Sequence, residues 1–141
     1  MLAVNSADVR KDWGSFIDDV VRTKPIVVKR SRDYFMGISI SMVEELLKNI
    51  KFNYEKYKED DNSYTLALKD IDIVVNAETL DKALNLLISD LKEYSLEYYN
   101  DLNYWHSAPN RKAHFPLVLK TLVCNSDDKL KREFICLVGQ S

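Results

Sequence analysis

The sequence predicts an α+β protein built from two small modules. Residues 1–50 read as a strand–helix–hairpin–helix unit, and residues 51–141 as a small antiparallel sheet backed by a long helix and followed by C-terminal helices. Three observations carry this. Two β-prone runs, Pro25-Ile26-Val27-Val28 and Tyr34 to Ile40, flank the polar turn Lys29-Arg30-Ser31-Arg32-Asp33, the pattern of a β-hairpin. Three further short β-prone runs lie between Phe52 and Val75. From Thr79 onward, Leu80, Leu84, Leu87, Leu91, Tyr94 and Tyr98 recur in alternating steps of four and three, one continuous apolar seam on a helix.

Ahead of the hairpin, a strand at Val4 leads into Asn5-Ser6 and then apolar residues at Val9, Trp13, Phe16, Ile17, Val20 and Val21. Their spacing predicts one amphipathic helix with Ser6 as its N-cap. After the hairpin, Ser41 to Ile50 reads as a second helix. Glu44 falls three residues after Ser41, a capping-box spacing that would satisfy backbone donors of the first turn.

In the second module, Phe52 to Tyr57 tends towards strand and Glu59-Asp60-Asp61-Asn62 reads as a solvated turn. Tyr64, Leu66 and Leu68 alternate, and Asp70 to Val75 reads as a third strand, so an antiparallel meander is expected. The long helix either covers that sheet or forms a coiled-coil seam, and the uncovered sheet just upstream favours packing. Asn100 to Ala113 reads as an ordered loop, and Pro116 suits a helix start. Ser126 is placed to cap another helix. Leu130, Phe134 and Leu137 continue a helical stripe that Gly139 would end; the alternative is a closing strand from Glu133 to Val138, since Phe134, Cys136 and Val138 alternate.

Composition narrows the classes. The 141 residues are 46% hydrophobic and 30% charged, enough for a core inside a polar surface. No apolar run reaches the ~18 residues of a membrane span, Met1 to Val4 is too short for a leader, and a cytoplasmic protein without a membrane partner is expected. Cys124 and Cys136 sit in aliphatic runs and read as buried free thiols. The net charge of −2 hides local asymmetry: Arg22 to Arg32 holds five basic residues and no acidic one, whereas Glu78 to Asp101 holds six acidic residues against two lysines. A basic tip and an acidic helix point to two different partners, or to one charged surface facing its complement.

Catalytic chemistry is not indicated. Three glycines could hardly build a phosphate-binding or dinucleotide turn, and the cysteines and histidines share no metal-ligand spacing, so no cofactor is expected. His106 and His114, near Arg111, could form an acid–base pair, but loop-packing imidazoles explain them with less. Asp70 and Asp72 could hold a cation, but solvation at a strand edge accounts for them. Trp105 with Tyr104 and Arg111 could stack a base, although anchoring a loop is the simpler role. The strongest site is the basic tip. Asn5 and Ser6 offer an anion site at a helix start, Arg10 and Lys11 lie just inside that helix, and Lys29, Arg30 and Arg32 crown the hairpin. Arginine suits phosphate and guanine edges because its fork donates two hydrogen bonds.

The residues Val4-Asn5-Ser6-Ala7-Asp8-Val9-Arg10, Trp13-Gly14-Ser15-Phe16, Pro25 to Arg30 and Met36-Gly37-Ile38-Ser39 together give this third of the chain a pattern that resembles the N-terminal domain of Phd/YefM-type antitoxins. The β-β-β-α order of the remainder loosely resembles HicB-type antitoxin domains. The first resemblance implies a bacterial antitoxin that dimerises, or forms a higher even-numbered oligomer, binds palindromic operator DNA as an autorepressor, and blocks a cognate protein toxin. It implies that the hairpin tip folds beside the first helix, joining Asn5, Ser6, Arg10, Lys11, Lys29, Arg30 and Arg32 in one DNA-binding patch, with Arg10 and Arg30 at the family's basic positions. Two departures stand out. The family turn usually carries Gly where this chain has Ser31-Arg32, and the family's toxin-binding segment is often disordered where this chain is patterned for a folded core. Toxin binding would then use the acidic helix, with Asp81, Asp90, Glu93 and Glu97 as its candidates. The rival readings are a dimerisation or adaptor module that binds no DNA, and a nucleic-acid enzyme using His106 and His114.

Overall fold

The computed structural model describes residues 1–137, and the chain divides into two compact units, Met1–Leu46 and Leu47–Ser141. The mixed α+β architecture contains two small sheets, one in each unit.

The first unit runs β1 (Ala3–Asn5), α1 (Ser6–Lys11), α2 (Trp13–Arg22), β2 (Ile26–Arg30), β3 (Asp33–Gly37) and α3 (Ile40–Leu46). β2 is the middle strand, parallel to β1 and antiparallel to β3. Its Val28 is fully buried and forms a small core with Val9 and Phe16, edged by Val20 and Ile26. The single helix expected from the apolar stripe is two helices. Asp12 leaves helical geometry, and its carboxylate accepts from the Ser15 amide at 3.1 Å, capping α2. Asn5 rather than Ser6 caps α1, its side-chain oxygen accepting from the Ala7 amide at 2.9 Å. Similarly, α3 is capped by Ser39, whose hydroxyl accepts from the Met42 amide at 3.3 Å. It starts before Ser41 and ends at Leu46, short of the expected Ile50. In each case a short polar side chain slightly upstream reached the free amides first.

The hairpin has the predicted form, closed by Ser31-Arg32 between the paired Arg30 and Asp33. Ser31 adopts a φ of 54°, the left-handed conformation that glycine takes most easily. The chain therefore keeps a glycine-like turn without the glycine. Gly37, at the end of β3, meets α2 closely: a Cβ there would lie 3.0 Å from both Phe16 and Val20 side chains.

The second unit carries β4 (Phe52–Lys58), β5 (Tyr64–Leu68), β6 (Val74–Ala77), α4 (Leu80–Asn100), α5 (Leu102–Ser107), a 3-10 turn (Lys112–His114), α6 (Phe115–Val123), α7 (Asp127–Lys131) and β7 (Phe134–Cys136). The meander forms as expected, but the sheet order is β6-β5-β4-β7, and β7 lies parallel to β4 with Phe52 opposite Phe134. The closing-strand alternative thus replaces the favoured helix at Phe134. The Phe52 and Phe134 rings stack with centroids 5.0 Å apart. Val138 and Gly139 lie outside the described residues. The third strand starts at Val74 rather than Asp70, because the preceding bend buries Ile71 and Ile73 while the Leu68 amide bonds the Ile73 carbonyl at 2.9 Å. The expected loop from Asn100 to Ala113 contains α5 and the start of the 3-10 turn. Cys124 and Cys136 are free thiols, half-buried rather than buried.

α4 covers the sheet. Thr79 caps it by accepting from the Lys82 amide at 3.2 Å. Ala83, Leu87, Ile88 and Leu91 pack with Phe52, Tyr54, Leu66, Leu68 and Val75 in the main core. Each fully buried large aliphatic side chain there contributes about 1.5–3 kcal/mol, which is why sheet cover outcompetes a solvent-exposed helical seam. Lys120 is also buried. Its ammonium donates to the carbonyls of Leu47 (3.2 Å) and Ile50 and pairs with Glu133 at 3.3 Å, so its charge is matched on every side it presents.

Candidate functional site

In the first unit, strand register determines where the basic residues stand. β1 pairs with β2 so that Asn5 is opposite Lys29, which places the start of α1 beside the basic end of β2. Side chains alternate along a strand, so Arg30 shares the face of buried Val28, and Lys29 points to the reverse. Arg10 reaches the Val28 face as well: with Ser6, Val9, Trp13, Val28 and Phe35 it lines a hollow of about 250 Å³. Arg10 and Arg30 thus belong to one face of the unit. Lys29 lies over the ring of its cross-strand partner Tyr34, 5.7 Å from the centroid. Lys11 is loosely paired with Asp8 at 3.9 Å, both exposed, and such a pair contributes little. Arg32 sits in the turn beside Ser31. The Asn5 side chain is engaged in capping α1, while Ser6 borders the hollow.

The same unit exposes apolar side chains that the sequence reading assigned to one buried stripe. Val9, Phe16 and Val20 face the small sheet, but Trp13, Ile17 and Val21, spaced by four on α2, are exposed. Trp13 is 58% exposed and Phe35 is 53% exposed. Exposed large apolar side chains at this density make α2 a candidate contact surface. The available signal was the doubling of the stripe: Phe16-Ile17 and Val20-Val21 are too wide for one helix face against a three-stranded sheet.

In the second unit, the four acidic candidates separate. Asp81 forms an ion pair with Lys131 at 2.7 Å and sits in the first turn of α4, where its charge favours the helix dipole. Asp90, Glu93 and Glu97 line a shallow cleft of about 350 Å³ with Tyr94 and Val74. Asp72, which the sequence reading had not grouped with them, lines it too. The bend before β6 brings it there. A second hollow, of about 520 Å³, lies at the N-terminal end of the same helix, lined by Ala77, Glu78, Lys82, Asn85 and Leu86.

The two histidines have separate surroundings. His114 is buried, and its Nδ1 lies 2.6 Å from the Tyr94 hydroxyl. Arg111 donates to that hydroxyl oxygen at 3.4 Å and lies over the Tyr94 and Trp105 rings. Burial, and then the Arg111 charge, lower the His114 pKa. His106 instead packs edge-on against Phe115. Trp105 is held among Tyr94, Tyr98 and Tyr104, the loop-anchoring arrangement. Among the described residues, no group of three or more His, Cys, Asp or Glu side chains is arranged to hold a metal ion, and no helix is long and apolar enough to cross a membrane.

A family model named PHD_like, described as "Antitoxin of toxin-antitoxin, RelE / RelB, TA system", matches residues 1–136. A crystal structure from Syntrophomonas wolfei subsp. wolfei, described as the antitoxin part of a proposed toxin/antitoxin system, is similar to this chain with 35% sequence identity and a TM-score of 0.91. The match covers 97% of this chain and 99% of that one. A search of curated proteins returned no match. The sequence resemblance rested on the first third of the chain, whereas both matches span both units.

Proposed function

This chain belongs to the PHD_like family of antitoxins from RelE/RelB toxin–antitoxin systems, and from that premise we propose that it is a dimeric autorepressor that binds its own operator and holds its toxin with the second unit. An antitoxin implies a cognate toxin, and its role is regulatory rather than catalytic. The finer assignment to the Phd/YefM type is part of the proposal, as are the HicB-like character of the second unit and a cytoplasmic setting.

The observation that supports DNA binding best is the pairing of Asn5 with Lys29. It sets the basic hairpin end beside α1, with Arg10 and Arg30 on one face. Two guanidinium groups so placed can each grip a phosphate through paired hydrogen bonds. One copy presents a small patch, and a two-fold pair would present two, spaced for successive turns of a duplex. The exposed Ile17 and Val21 on α2, with Trp13 at its start, supply apolar surface that such a pair would bury. In the second unit, Asp90, Glu93 and Glu97 offer an acidic face to a basic toxin.

The test is a fluorescence-anisotropy titration of the full chain against the DNA upstream of its gene at two salt concentrations. Arg10→Ala/Arg30→Ala is run alongside. Selective, salt-dependent binding is expected, with a salt slope reduced by roughly 0.9 for each phosphate grip removed. Absence of binding at low salt would favour the second reading, a dimerisation or adaptor unit without DNA, which the exposed apolar surface supports equally well.

A further inference from the structure

We propose that the outer edge of β6 is a docking site for an extended, basic segment of the cognate toxin, which adds there as a further strand. The inference rests on the reading that the second unit binds the toxin, and it specifies how.

Among the described residues, β6 is the terminal strand of its sheet and pairs only with β5. A terminal strand leaves a row of backbone donors and acceptors unused, and proteins ordinarily blunt such edges with lysine, proline or a bulge. The residues of β6 are Val74-Val75-Asn76-Ala77. None is charged and none is proline, and their pairing with β5 runs without a bulge from Ala67↔Val74 to Tyr64↔Ala77. The edge is therefore open to strand addition, a common mode of peptide recognition.

The flanks of the edge indicate the chemistry of its occupant. α4 follows Thr79 and packs against β6, with a separate hollow near each end of the strand. At the Val74 end, Asp72, Asp90, Glu93 and Glu97 converge on one cleft. At the Ala77 end, the hollow is lined by Ala77 and Leu86 with Asn85 and the paired Glu78 and Lys82, so the edge there carries no net charge. Val74 itself is 65% exposed. An added strand would lay cationic side chains into the first and an apolar side chain into the second. A second copy of this chain is disfavoured as the occupant, because its own β6, Val74-Val75-Asn76-Ala77, carries no cation to lay against the four carboxylates. Nucleic acid is disfavoured by the same charge.

The experiment uses the ¹⁵N-labelled full chain and an alternating arginine–valine hexapeptide, followed by NMR. Its controls are the glutamate–valine counterpart and an arginine–valine peptide methylated at alternate backbone amides. The expected result is a set of shifts at residues 74–77 and 90–97 with the basic peptide alone. Methylation on the pairing edge should abolish them, and Asp90→Asn/Glu93→Gln/Glu97→Gln should weaken binding roughly tenfold or more. Equal binding by the methylated peptide on both of its edges would overturn strand addition, as would shifts elsewhere or no binding. The same triple variant is tested against the purified toxin. If the toxin loses affinity while the peptide leaves β6 untouched, the edge inference fails and the acidic-face reading survives. If the toxin ignores the variant, both fail.

Discussion

The Tyr94 hydroxyl and the His114 imidazole lie 2.6 Å apart inside the second unit, where burial works against a charge on the ring. Arg111 donates to the same hydroxyl oxygen at 3.4 Å, which sets its charge beside the imidazole. Burial first, and the Arg111 charge second, lower the His114 pKa. The unfolded chain then takes up the proton more readily than the folded one. Stability is fully present above the ordinary histidine value of about 6.5 and falls as pH drops below it towards the lowered folded value. Urea midpoints should decline through that window, and His114→Gln should flatten the decline. An NMR titration of His114 with its midpoint at or above the ordinary value would refute this assignment.

Gly37→Ala should destabilise the first unit by about 1–3 kcal/mol. The added methyl meets Phe16 and Val20 at 3.0 Å, and both side chains belong to a core with few residues to share the adjustment. Hydrogen exchange of the β2 amides should accelerate while the sheet of the second unit keeps its protection. Unchanged exchange at β2 would show that the two side chains move aside freely.

Trp13→Glu/Ile17→Glu should abolish self-association without unfolding the chain. Both side chains are exposed in the single chain, so the substitutions remove little of its core. Sedimentation velocity is expected to give a dimer for the unaltered chain and a monomer for the variant, with the circular dichroism spectrum retained. A dimer that survives both glutamates would place the interface elsewhere.

Legibility in the sequence followed the length of each signal. The six-residue seam from Leu80 to Tyr98 located α4 to within two residues, since a long periodic pattern averages out local exceptions. The hairpin around Ser31 was equally clear, because two β-prone runs and a polar turn agree. Short elements were less so. Asn5, Asp12 and Ser39 are caps that compete with Ser6 and Ser41 over one or two residues, and only geometry selects among them. β7 was ambiguous because Phe134, Cys136 and Leu137 satisfy a helical and an alternating pattern together. Its partner β4 lies some eighty residues earlier, and no local pattern encodes that pairing. At the candidate sites, residue types were readable but their grouping was not. Asp72 joins Asp90 across a bend, Asp81 is drawn off by Lys131, and the faces of Lys29 and Arg30 follow from register alone.

The parallel pairing of β7 with β4 also separates the two units in time. The first sheet needs nothing beyond Gly37, so it can assemble early in synthesis. The second stays without its flanking strand until residues 134–136 emerge, seconds later at roughly 5–20 residues per second. Until then one edge of β4 is bare, and the nascent chain carries a finished head on an unfinished body. A ribosome that stalls in this interval would display the first unit alone, and operator recognition, if that unit carries it, would precede the capacity to hold a toxin.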